Sequence, residues 1–208
     1  GFGFKWETES GFAIASNIVD KNADTSTGLL GEAGKNKWDT QIAYTQPQYH
    51  VSVTLSDAQN WTSQSYNATN LAKIAAEDST GYALRAYWMP EESGTATPEI
   101  SVGYDTKSFE GGSTGEAKEA DSYMVGLTWK DMFLADDRIG LAVTQPLAVT
   151  EVVGGGAVTD VDPLLWEAYY SFKPNDSMSI TPAIFGGSDV TFAGEDLFGA
   201  VLTTTFKF

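Results

Sequence analysis

His50 and Ser52 are two residues apart in an alternating segment of the chain, so both side chains would point to the same face of a strand. A histidine beside a hydroxyl could act as base and nucleophile in acyl-transfer chemistry. That chemistry also needs an acid to orient the imidazole and donors for an oxyanion, and the sequence shows neither. We therefore interpret His50 as a polar strand residue and expect the protein not to be an enzyme.

Arg85 and Glu167 offer a different kind of chemistry, because each is a charged residue in the middle of an alternating segment. Tyr87 follows Arg85 on the same face. Charges on opposing walls of a pore set a transverse field at its narrowest point and so select the ions that pass. The alternative is that each is a solvated charge on a water-facing strand, and the sequence leaves both interpretations open.

The composition excludes several classes of site. The chain has no cysteine and a single histidine, which excludes thiolate and multi-histidine metal sites. Acidic residues are frequent between the alternating segments, but without the spacing of a calcium loop. We expect no cofactor and no metal, with hydrated loops as the simplest role for these acids. Asp and Glu outnumber Lys and Arg by 28 to 12, which argues against nucleic acid as a partner.

Eleven segments alternate with period two, and most approach the roughly 9 to 11 residues of a tilted transmembrane strand. No run of apolar residues is long enough for a transmembrane helix. The pattern predicts an all-β fold, and we interpret it as a transmembrane antiparallel up-and-down β-barrel. The predicted strands are 1–7, 11–19, 37–46, 48–57, 80–89, 98–106, 121–130, 137–145, 163–173, 176–186 and 197–208.

Short and long connections alternate along the chain, as they do in outer-membrane barrels, where turns are short on the periplasmic side and loops are longer outside. Segments 106–120, 146–162 and 187–196 are expected to be long outer loops. The chain ends on an aromatic residue after an alternating strand, like an outer-membrane assembly signal, for which Phe206 and Phe208 are the candidates. Eleven is an odd number, and single-chain bacterial barrels have even numbers of strands, so residues 1–208 are expected to be part of one larger barrel domain.

The two faces of the predicted strands differ in character. The apolar set is expected to contact lipid and to carry no charge, since Lys or Arg at the bilayer midplane costs about 2 to 4 kcal/mol. Tyr and Trp side chains on this set would form the membrane aromatic girdle: Trp6, Trp38, Tyr44, Tyr49, Tyr82, Trp88, Tyr104, Tyr123 and Trp129. The opposite set is expected to line a wet pore: Lys5, Lys37, Asp39, Gln41, His50, Arg85, Tyr87, Glu99, Glu167 and Tyr169.

Two stretches resemble cyanobacterial outer-membrane porins of the carbohydrate-selective porin family. The family's carboxyl-terminal strands are similar to DPLLWEAYYSFKPNDSMSITPAIFGGSD (Asp162 to Asp189), followed by FGAVLTTTFKF, and its penultimate repeat is similar to KDMFLADDRIGLAVTQP (Lys130 to Pro146). The resemblance implies a barrel of about sixteen strands and a homotrimer that passes small hydrophilic solutes or ions. It also implies an amino-terminal domain that grips the cell wall, which these residues do not contain.

The sequence thus predicts an outer-membrane porin in a bacterium, with lipid and small polar solutes as its partners. One alternative is a secreted acidic β-sandwich that binds glycans or acts as an adhesin, with its Trp side chains buried. The second is a barrel that does not conduct, either an enzyme using His50 and Ser52 or a purely structural barrel.

Overall fold

The protein is built from eleven β-strands in a single sheet. The computed structural model describes residues 1–21, 24, 35–61, 78–156, 158, 163–190 and 195–207, and these residues contain no helix. Accordingly, the described part of the chain has no helix long and apolar enough to cross a membrane. The strands are β1 (Phe2–Glu7), β2 (Phe12–Asp20), β3 (Asn36–Gln46), β4 (Tyr49–Gln59), β5 (Asp78–Trp88), β6 (Glu99–Glu110), β7 (Ala117–Lys130), β8 (Arg138–Val152), β9 (Leu164–Asn175), β10 (Met178–Ser188) and β11 (Leu197–Phe206).

The strand order in the sheet is the order in the sequence, from β1 at one edge to β11 at the other. All ten neighbouring pairs are antiparallel, which is the up-and-down arrangement. This confirms the predicted all-β fold and all eleven predicted strands. Because direction reverses at each step, the edge strands β1 and β11 run the same way.

The register keeps side chains of one character on one face from strand to strand. Ile42 of β3 is opposite Val53 of β4, which is in turn opposite Leu84 of β5. One residue along, Gln41 is opposite Thr54. We call the side with Ile42, Val53 and Leu84 the apolar face, and the side with Gln41 and Thr54 the polar face. A slip of one residue in any pair would exchange the two faces, so this continuity fixes the register.

Strands β6, β7 and β8 are longer than predicted, at 12, 14 and 15 residues. Residues 106–110 and 117–120 were expected to be loop, but they continue β6 and β7, and their connection is only 111–116. Likewise, β8 continues to Val152, beyond its predicted end at residue 145. These predictions were wrong because the polarity of the two faces reverses in the extension, where Phe109, Ala120 and Val149 form a buried apolar cluster on the polar face.

The short connection 8–11 between β1 and β2 depends on a glycine. The backbone oxygen of Gly11 accepts a hydrogen bond of 2.9 Å from the backbone nitrogen of Thr45, so β3 passes close to this turn. Gly11 has a φ of 90°, and a Cβ placed on it would lie 1.9 Å from the backbone oxygen of Thr45. Only glycine therefore allows both the turn and the contact.

The connection 131–137 between β7 and β8 is organised around the buried carboxylate of Asp137, whose residue exposure is 0%. Its oxygens accept hydrogen bonds from the backbone nitrogens of Met132 at 2.8 Å, Phe133 at 3.0 Å and Leu134 at 2.9 Å. The hydroxyl of Tyr170 on β9 donates a fourth at 3.0 Å. Burial alone would raise the pKa of this carboxyl, but the four donors outweigh it and the pKa is lowered. The carboxylate therefore closes the turn and ties it to β9.

We expect this connection to loosen in acid. Because the folded-state pKa of Asp137 lies below its ordinary value, its contribution to stability is complete above that ordinary value. The contribution is lost as the pH falls through the lower folded-state pKa. Amide exchange protection at Met132, Phe133 and Leu134 should be constant from neutral pH down to about pH 5 and fall below about pH 4. Asp137→Ala should abolish the protection at every pH, whereas Tyr170→Phe, which removes one donor, should keep most of it. Unchanged protection in Asp137→Ala would contradict this account of the turn.

Candidate functional site

The distribution of exposure between the two faces is the reverse of that in a soluble sheet. On β4 the apolar face carries Tyr49, Val51, Val53 and Leu55, which are 42%, 41%, 41% and 44% exposed. Ser52, between them on the polar face, is only 3% exposed. The described residues contain no second sheet packed on the apolar face. The large apolar side chains therefore face outward, and small polar ones are shielded.

The nine predicted girdle residues lie on the apolar face, and all except the half-buried Trp129 are exposed. Trp129 donates from its indole nitrogen to the backbone oxygen of Ala96 at 2.9 Å. Seven of the nine lie toward one end or the other of their strands. Near the short connections are Trp6, Tyr44, Tyr49, Trp88 and Trp129, and nearer the long connections are Trp38 and Tyr82. Tyr104 and Tyr123 are opposite each other and level with Leu84 and Val53, in the middle of the apolar face.

The expectation that the apolar face carries no charge was wrong at one rim. Asp57 is opposite Trp38, and Asp121 is opposite Thr106 on the same face. Glu119, two residues before Asp121 in the chain, is opposite Ser108 and lies on the same face. Asp20, Asp78 and Glu110 are also on this face, and all six carboxylates lie at the strand ends near the connections 21–35, 60–77 and 111–116. The uncharged band is therefore shorter than the strands.

All ten side chains predicted to line a pore lie on the polar face, but most of them contact partners that the sequence did not indicate. The positions follow from the strand register, which places Lys5 opposite Ala15, Ala15 opposite Gln41, and Gln41 opposite Thr54. The ten are Lys5, Lys37, Asp39, Gln41, His50, Arg85, Tyr87, Glu99, Glu167 and Tyr169.

Arg85 is neutralised within the wall of the sheet. Its guanidinium makes two hydrogen bonds to the carboxylate of Asp105 on β6, at 2.8 and 2.7 Å. The hydroxyl of Ser122 on β7 donates to the same carboxylate at 3.0 Å. A Cβ on Gly103 would lie 3.1 Å from Cδ of Arg85, so the absent side chain leaves room for the arginine to lie over β6 and reach Asp105. Paired in this way, Arg85 adds little uncompensated charge to the polar face.

His50 contacts Thr45 and Tyr87 rather than Ser52. Its Nδ1 is 2.7 Å from the Thr45 hydroxyl, and its ring stacks on Tyr87 with centroids 5.5 Å apart. Ser52, two residues along β4, is buried and makes no hydrogen bond with His50. The arrangement gives the imidazole a structural position between two strands.

Three further ion pairs neutralise charges on this face. Lys5 is 2.6 Å from Glu7, and Lys37 is 3.1 Å from Asp39. Lys130 pairs with Glu99, which was predicted to line the pore. Four of the carboxylates on the polar face are therefore paired with a lysine or arginine.

Tyr169 lies against the sheet instead of projecting from it. A Cβ on Gly140 of β8 would be 2.0 Å from Cε1 and 2.4 Å from Cζ of the tyrosine ring. Phe185 of β10 covers Gly199 of β11 in the same way, with its Cζ 2.4 Å from a Cβ there. Such aromatic cover of strand glycines pins the register of neighbouring strands.

The described residues hold no group of three or more His, Cys, Asp or Glu side chains placed to share an ion. The predicted assembly residue Phe206 ends β11 and is exposed, while Phe208 lies outside the described residues. Comparison with known proteins adds no assignment, since no protein-family model matches the chain and no curated protein matches it.

Proposed function

We propose that this protein is an outer-membrane porin, a passive channel for small hydrophilic solutes or ions. The observation that carries the proposal is the reversed exposure of the two faces. A sheet that leaves Val51, Val53 and Leu55 uncovered is unfavourable in water but is matched to lipid. The polar face, with its network of ion pairs and hydroxyls, is suited to a water-filled lumen.

The proposal requires that the sheet closes into a barrel. An open edge in lipid leaves unpaired backbone groups that cost several kcal/mol each. Since β1 and β11 run the same way, antiparallel closure needs an odd number of further strands between them. The family resemblance, with about sixteen strands, would add five to the eleven. We propose that residues 1–208 form part of one such barrel and that the barrel assembles as a homotrimer.

A non-conducting structural barrel is the second candidate, and one observation favours it. Phe109, Ala120, Val149 and Val152 form an apolar cluster on the polar face at the end near the long connections. Val158, from the connection after β8, packs against this cluster. A side chain held over the polar face narrows the lumen there, and fuller cover would plug it. The soluble sandwich is less compatible with the structure, because the sandwich needs two packed sheets.

Single-channel recording distinguishes the two candidates. The full natural protein, purified in detergent and added to a planar lipid bilayer, should insert and produce discrete conductance steps. Conductance steps are expected because a water-filled lumen conducts ions without a gating ligand. A folded, heat-modifiable protein that inserts but never conducts would refute the porin and support the plugged barrel. A protein that stays soluble without detergent would refute both.

A further inference from the structure

Glu167 is the exception in the charge network of the polar face. Glu7, Asp39, Glu99 and Asp105 each pair with a lysine or arginine. Glu167 is exposed, and among the described residues no cation lies within ion-pair distance of it. It is the one polar-face carboxylate in this part of the chain whose charge is not compensated.

The surroundings of Glu167 explain why it has no partner. Its cross-strand neighbours are Ala142 on β8 and Phe185 on β10, and neither can donate to a carboxylate. The nearest cation by register is Arg138, which is opposite Ser171. That position is four residues further along β9, roughly 13 Å away at about 3.3 Å per residue. The carboxylate therefore faces the space in front of the polar face.

Glu167 lies at a depth in the sheet where its charge would act on a passing ion. Its chain neighbours Trp166 and Ala168 lie on the apolar face, opposite Val143 and Leu141. Glu167 is thus level with the apolar band, where a solute would be surrounded by the sheet. Arg138, by contrast, is the first residue of β8, at the end near the short connections.

We propose that Glu167 is a selectivity-determining residue that makes the lumen prefer small cations over anions at this depth. The inference rests on the proposed porin function. An uncompensated unit charge acting through water over about 10 Å changes the local concentration of a monovalent ion about twofold. Cations and anions change in opposite directions, so the permeability ratio changes about fourfold.

The test is the reversal potential of the full natural protein in a planar bilayer under a gradient of potassium chloride. Glu167→Gln should lower the cation-to-anion permeability ratio about fourfold, and Glu167→Lys should lower it further. Glu92→Gln is the matched control, because it removes the same charge from an exposed residue in the connection 89–98 and should leave the ratio unchanged. Each variant is first checked for the heat-modifiable folded band.

The outcomes separate this inference from the porin proposal. Conductance with the same reversal potential in wild type, Glu167→Gln and Glu167→Lys would overturn the role of Glu167 and leave the porin intact. An equal shift in Glu92→Gln would also overturn it, because the effect would then follow total charge. Absence of conductance in the wild-type protein would overturn the porin and the selectivity role together.

Discussion

Val53→Arg is expected to prevent the protein from folding stably into a bilayer. Val53 lies in the middle of the apolar face of β4, between Ile42 and Leu84 on the neighbouring strands. An arginine near the bilayer midplane costs about 2 to 4 kcal/mol, a large part of the stability of an ordinary fold. Folding into lipid vesicles, measured by the heat-modifiable band and by urea titration, should show that loss.

The neighbouring position provides the control. Thr54 is on the polar face, so Thr54→Arg should fold into vesicles nearly as well as the wild type and alter only ion preference. If the sheet were soluble, Val53→Arg would instead be tolerated, because an arginine at this exposed site would change the free energy of unfolding by only about 0.5 kcal/mol. Equal folding of both variants in lipid would contradict the assignment of the faces.

Gly140→Ala is expected to destabilise the protein by about 1 to 3 kcal/mol, the usual cost of forcing a side chain into a filled space. The added methyl group would meet the Tyr169 ring at 2.0 Å, so the ring or the strand must move. Urea unfolding of the refolded protein measures the loss. Gly126→Ala is the matched control on the same face, because a Cβ there has its nearest contact at 3.8 Å.

A double-mutant cycle identifies the ring as the cause. Tyr169→Ala removes the obstacle, so Gly140→Ala should cost far less in that background, with a coupling energy of about 1 kcal/mol or more. If the two losses simply add, or if Gly126→Ala is as damaging as Gly140→Ala, the aromatic cover of Gly140 is not what holds β8 against β9.

Much of the fold could be predicted because alternation survives antiparallel pairing. Once strands such as β3 and β4 are in register, a period-two pattern read on each strand gives a continuous face. The prediction failed beyond residue 106, where Phe109 and Ala120 are on the polar face and Asp121 is on the apolar face. The prediction kept the apolar side chains on one face, so it ended each strand where the apolar side chains change to the other face, although the strand itself continues.

The contacts of the candidate site were less predictable. Arg85 is opposite Gly103, and its partner Asp105 is opposite Ala83, so the ion pair is diagonal and depends on the exact register of β5 and β6. Composition and spacing do not contain that register. The buried Asp137 was also missed, because its partners are three backbone amides and a tyrosine that lies 33 residues further along the sequence, on β9.

The central claim is that the apolar face contacts lipid and the polar face contacts water, and labelling along β4 tests it most directly. The protein has no cysteine, so each residue from 49 to 57 can be replaced singly by cysteine and spin-labelled in lipid vesicles. Collision rates with oxygen, which concentrates in lipid, and with a water-soluble nickel complex are then measured at each position. We predict high oxygen accessibility at positions 51, 53 and 55 and nickel accessibility at the half-buried positions 50 and 54. Nickel accessibility at 51, 53 and 55 equal to that of their neighbours would contradict the account.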